Sequence, residues 1–143
     1  MKRILSTAVA TAATIVLAAS GASAAFADPS DDPSSAAAEL CTNLTELNSD
    51  TAALRALNPA NATKDQIKEA YDDVQKSWSE VDKSTATWDA AKKDSVKKAA
   101  EDLKKAYEGL PGDTTGKDAA SKLAPSVMTL DDATKSAKSG LTC

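Results

Sequence analysis

Two cysteines, Cys41 and Cys143, are the residues in this chain best placed for covalent chemistry. They do not form a Cys-x-x-Cys motif, so a redox cycle is not spelled out, and a structural disulfide is the chemistry they suggest. Gly112-Asp-Thr-Thr-Gly116-Lys117-Asp118 has the glycines and lysine of a phosphate-binding loop, but the glycines are one residue too close together. Asp118 also stands where a Ser or Thr should hold magnesium, so the segment reads as a turn with a helix N-cap. Asp72-Asp73 and Asp131-Asp132 are paired carboxylates, yet adjacent residues on a helix point roughly 100° apart and do not converge on one ion. Calcium prefers about six to eight oxygens from a folded loop, and none is spelled out, so both pairs are expected on solvated surface.

The sequence has no histidine, which excludes a catalytic triad, an imidazole general base and a histidine metal site. A carboxylate pair acting on glycosides or wall polymers would need a deep cleft and aromatic platforms. Tyr71, Trp78, Trp88 and Tyr107 instead fit a helical period as core residues. No catalytic, cofactor-binding or metal-ligating residue and no cofactor is therefore expected, and the chain does not read as an enzyme. The lysine pairs Lys92-Lys93, Lys97-Lys98 and Lys104-Lys105 are interleaved with Asp94, Glu101, Asp102 and Glu108. With Asp94–Lys98 and Glu101–Lys105 at i,i+4 spacing, they read as a solvated, self-paired helix face. Asn43-Leu-Thr45 and Asn61-Ala-Thr63 match the N-glycosylation pattern, but one falls inside a helix and the other is explained by a cap.

The disulfide fits its compartment. Met1-Lys2-Arg3 is a basic start, Ile4 to Ala19 is apolar, and Ala22-Ser23-Ala24 and Ala25-Phe26-Ala27 are small-x-small sites. Residues 1–27 thus read as an export signal, cut after Ala27 or, as second choice, after Ala24. Ala38-Glu39-Leu40 before Cys41 is no lipobox, and the region after the signal has no apolar run near the roughly 18 residues of a membrane span. An exported chain with two cysteines is expected to pair them. Losing Lys2 and Arg3 leaves 15 basic against 21 acidic residues, a net charge of −6. That balance argues against nucleic-acid binding.

The elements that must bring the cysteines together are all helical by pattern. Residues 28–35 are acidic and apolar-free and read as a flexible leader, followed by one domain over 36–143. A first helix starts with Ser34 or Ser35 as N-cap and runs to about Leu57, with Leu40, Leu44, Leu47, Thr51 and Leu54 as its seam. Asn58-Pro59 ends it, and Thr63-Lys-Asp-Gln66 reads as a capping box. From Lys64 to Glu108 there is neither glycine nor proline. Ile67, Tyr71, Val74, Trp78, Val81 and Trp88 share a phase with Val96, Ala99, Leu103, Tyr107 and Leu110. The match favours one helix of roughly 45 residues, about 70 Å long. Against it stand Ser84-Thr-Ala-Thr87, poor helix formers, and Lys92 in the seam.

Residues 109–116 are a turn by composition. The last helix runs from about Asp118 to Ser139, with Leu123, Val127, Leu130, Ala133 or Thr134, and Ala137 inward. Pro125 should kink it or split off its first turns, and Gly140 can cap its end. Disulfide geometry needs Cα atoms about 4.4–6.8 Å apart. Three equal helices in an up-down-up bundle would put the cysteines at opposite ends and are excluded. Two all-α architectures remain: a long middle helix with a short helix folded on each half, or four helices up-down-up-down with a bend near residues 84–94. Either is closed by the Cys41–Cys143 bridge.

Cys41-x-x-Leu44-x-x-Leu47, Leu57-Asn-Pro59-Ala60 before a capped helix, Trp78 in that helix and the late Cys143 resemble the small, Ala-rich, two-cysteine secreted proteins of actinobacteria. The resemblance implies an extracellular or wall-associated habitat and a helical shape, without an assigned activity. The expected role is a secreted, monomeric, non-enzymatic protein binding a protein or an envelope component. The alternatives are a structural or stress-related envelope protein without a specific ligand and, more remotely, a wall-polymer hydrolase.

Overall fold

The computed structural model describes residues 33–84, 86 and 88–143, so the expected signal at 1–27 and most of the leader lie outside the described residues. Four helices account for the described chain: α1 (Pro33–Ala56), α2 (Lys64–Lys83), α3 (Ala90–Glu108) and α4 (Gly116–Ser139). Helix α1 opens at Pro33, inside the stretch read as leader and just ahead of the expected caps at Ser34 or Ser35. A proline is accommodated in a first helical turn because that turn needs no N–H from it.

The helix starts are written in the sequence. Thr63 accepts from the Gln66 N–H while the Gln66 side chain accepts from the Thr63 N–H, completing the capping box. Asp89 accepts from the Lys92 N–H and opens α3. Thr115 accepts from the Asp118 N–H and opens α4. Each cap satisfies a backbone donor that the first turn would otherwise leave unpaired. Helix α1 stops at Asn58-Pro59, where the Asn58 side chain accepts from the Ala60 N–H.

The unbroken middle helix is corrected. The helical pattern ends at Lys83 and resumes at Ala90, with Ser84 as C-cap of α2 and Asp89 as N-cap of α3. Ser, Thr and Asp side chains compete for backbone groups and favour such ends over helix interiors. Pro125 does not split α4, which runs unbroken from Gly116 to Ser139. Pro125 and Ser121 are both exposed. The Ser121 carbonyl, which loses its usual i→i+4 donor at Pro125, therefore sits on the water side of the helix.

Five contacts fix the topology. The Cys41–Cys143 bridge and the Lys138–Thr45 hydrogen bond join α1, two turns or more past its start, to the end of α4 and the residues after it. Asn43 reaches the Glu80 carbonyl near the end of α2. Tyr71 of early α2 stacks on Tyr107 of late α3, with ring centroids 3.9 Å apart. Gly140 after α4 lies against the Lys92 side chain of early α3. The helices therefore run up-down-up-down. Helix α1 packs along α2 and α4, α3 packs along α4, and α2 and α3 touch far less.

Leu40, Leu44, Leu47 and Thr51 are fully buried, as are Val74, Val81, Val96, Leu103 and Leu130, with Leu54, Ile67, Leu123 and Val127 nearly so. Each large aliphatic side chain so buried contributes roughly 1.5–3 kcal/mol before the entropy of ordering is charged against it. The seams hold in their aliphatic part, while Tyr107 and Leu110 at the end of the second seam are half-buried. Trp78 and Trp88 are half-buried, and Ser77 is buried instead. The Ser77 hydroxyl is shared between the Asp50 carboxylate of α1 and the Asp73 carbonyl.

Candidate functional site

The cysteines are bonded to each other, with Cα atoms 5.7 Å apart across a sequence separation of 102. No free cysteine remains among the described residues. Gly112–Thr115 is a turn leading into α4, with Thr115 as its cap, and the Thr115 hydroxyl also donates to the Asp118 carboxylate. That carboxylate is thus engaged locally, and the segment offers no phosphate cradle. Asp72 pairs with Lys68 one turn before it, and Asp73 is exposed. Lys104 pairs with Glu108, and Lys105 with Asp102 rather than Glu101, on an exposed helix face. No cluster of three His, Cys, Asp or Glu side chains suited to a metal occurs among the described residues. Nor is any of their helices long and apolar enough to cross a membrane.

Asp131 corrects the expectation of solvated surface. Asp132 is exposed, but Asp131 is only 3% exposed at the α1–α4 seam. One of its oxygens accepts from Asn48 at 2.9 Å, the other from Arg55 at 3.0 Å and Lys135 at 2.7 Å. Burial pushes its carboxyl upward, but the Lys135 hydrogen bond and charge, the Asn48 bond and the Arg55 charge outweigh it and hold the acid below its ordinary value. Its chemistry is that of a buried cross-link, which fixes Arg55 in place.

The aromatics pack rather than form a platform. Tyr71 is 7% exposed under the parallel Tyr107 ring. Burial, reinforced by the carboxylate of Glu108, by Tyr107 and by Asp72, pushes the Tyr71 phenol up to about 12. A phenol held neutral in this way is no general base at ordinary pH.

What sequence reasoning missed lies at the opposite end from the disulfide, where the α1–α2 and α3–α4 turns meet. Two cavities flank Ile67 there. One, of about 200 Å³, is walled by Leu54, Leu57, Pro59, Ala120, Leu123, Ala124, Val127 and Met128, with Arg55 among its lining residues. The other, of about 210 Å³, is walled by Tyr107, Leu110, Pro111, Gly112, Thr114 and Ala119, with Lys64 among its lining residues. Among the described residues Met128 is the large hydrophobic side chain left exposed, at 51%. Thr114 is buried, and its hydroxyl has no hydrogen-bond partner among the described residues.

The turns are pressed together at this end. A Cβ on Gly116 would collide with the Ala62 carbonyl, so only glycine allows the start of α4 to lie against the α1–α2 turn. The available signal was Met128 itself, next to seam residue Val127 and therefore off the seam, together with Leu57-Asn-Pro59 and Leu110-Pro111 in turns. No family model matches this chain, and no curated protein or solved structure does.

Proposed function

We propose that this chain is an exported, non-catalytic helical protein, resembling the small two-cysteine secreted proteins of actinobacteria, that binds a protein or an envelope component through the turn end of its bundle. The observation that carries the reading is the pair of apolar cavities either side of Ile67, with Met128 exposed beside one of them. Small concave apolar sites bordered by few polar groups are where binding energy concentrates. Export is supported by the order of basic, apolar and small residues in 1–27 and by the disulfide. A monomer acting outside the cell or on its wall follows from the same reading.

The test is saturable retention of the exported protein on purified cell wall, or on immobilised exported proteins of the same organism. Retention should be lost in Met128→Glu, which places a charge beside the first cavity. Absence of retention on both supports would replace this reading with a structural envelope protein that has no specific ligand.

A further inference from the structure

The two cavities carry more than apolar walls. Each has one charged residue in its lining, a cation in both cases, and no acidic side chain lines either. Both cations are held by acceptors of the protein itself. Arg55 donates to buried Asp131, and the Lys64 ammonium donates to the Gly112 carbonyl at 2.7 Å. Neither is saturated by that single bond, since a guanidinium has five N–H donors and an ammonium three. The Arg55 side chain remains 55% exposed. Each cavity therefore pairs an apolar hollow with a cation that keeps free N–H donors; the Arg55 charge is already met by Asp131, whereas the Lys64 acceptor is an uncharged carbonyl.

Size narrows the occupant. A cavity of about 150 Å³ suffices for a benzene-sized group. Hollows of about 200 and 210 Å³ each suit a single branched or aromatic side chain. They are separated by Ile67, which lines both. A long acyl chain needs one continuous channel, which this pair of separate hollows does not supply. Two side-chain-sized hollows, each with its own cation, match a peptide better than a lipid.

Resting on the reading of the turn end as the binding end, we propose that its partner is an acidic peptide segment of another protein. Its apolar side chains enter the hollows beside Ile67, and its Asp or Glu carboxylates meet Arg55 and Lys64. The net negative charge of the chain as a whole opposes such a partner at long range. Recognition is then local, made by these two cations at contact.

The probe is a displayed library of random decapeptides, selected on the immobilised exported protein, with affinities of the enriched peptides measured by fluorescence anisotropy. Enriched sequences should carry Leu, Phe or similar residues flanked by Asp or Glu. Lys64→Glu should weaken them about tenfold or more, the worth of one charge-assisted hydrogen bond. Met128→Glu should weaken them similarly, while Ala91→Glu at the other end should not. Lys64 and Met128 are exposed, so both variants should fold, and unchanged melting temperatures check that.

Enrichment of basic peptides, or of none, overturns the inference. So does binding of oleate at this end with no acidic peptide selected, which assigns it to an amphiphile. Wall retention that is lost in Met128→Glu while no acidic peptide is enriched would overturn the peptide inference alone and leave the binding end standing.

Discussion

The two ends of the bundle are built on opposite plans. At one end, Cys41 and Cys143 are covalently joined and Lys138 donates to Thr45, tying α1, two turns or more past its start, to the end of α4. At the other, the α1–α2 and α3–α4 turns are set by caps, by Gly116 against Ala62, and by the Tyr71–Tyr107 stack. The first end carries the staple. The second leaves Leu57, Pro59, Leu110, Pro111 and Met128 half-buried or exposed around two hollows. Concavity is not confined to that end: a wider, open depression of about 1030 Å³ lies beside the disulfide, with Cys41, Thr45, Thr142 and Cys143 in its lining, whereas the two turn-end hollows are side-chain-sized and walled mainly by apolar residues.

The largest effect should come from breaking the stapled end. Reduction, or Cys41→Ala with Cys143→Ala, releases a loop of 102 residues, worth roughly 4–5 kcal/mol in the chain-entropy model. The expected fall in melting temperature is tens of degrees, read by circular dichroism with and without reductant. Hydrogen exchange should rise first at the start of α1 and the end of α4. A uniform rise along both ends would erase the distinction.

Next in size is the polar link between α1 and α4. Asp131→Ala removes the acceptor of Asn48, Arg55 and Lys135 and should cost about 2–3 kcal/mol. Because the folded carboxyl is held below its ordinary value of 3.8, its stabilisation is complete above that pH and is lost as pH falls beneath it. Denaturant melts across that range should therefore slope downward toward acid in the parent and lose much of the slope in Asp131→Asn. Smaller still is the alkaline limb at the turn end. Tyr71 is raised from 10.0 to about 12, so its contribution is full below 10.0 and fades as pH climbs toward 12. Tyr71→Phe should remove the late tyrosinate absorbance step and flatten that limb.

Much of this fold was legible because helical period and caps are local signals. Leu40, Leu44, Leu47, Thr51 and Leu54 are buried in the phase their spacing demands, and Thr63 and Gln66 cap each other as their types require. The break between α2 and α3 was obscured because both helices face one core. Each must carry an apolar stripe, and across the break the two stripes keep one phase although no helix joins them. Asp131 could not be placed from its neighbours, because its partners Asn48 and Arg55 lie 83 and 76 residues away. Ser77 displaced Trp78 from full burial for a similar reason, since Asp50 across the α1–α2 seam holds it there. The hollows depend on how two turns meet, and no spacing along the chain encodes that.

The separation of the two ends is tested most directly by one pair of variants. Met128→Glu places a carboxylate beside the turn-end hollow, and Ala91→Glu places one on an exposed turn of α3 at the stapled end. Both sites are surface positions on helices, so unfolding free energies should stay within about 0.5 kcal/mol of the parent. Retention on wall or partner supports should vanish in Met128→Glu and persist in Ala91→Glu. Equal retention by the two variants, or loss only in Ala91→Glu, would contradict the assignment of binding to the turn end.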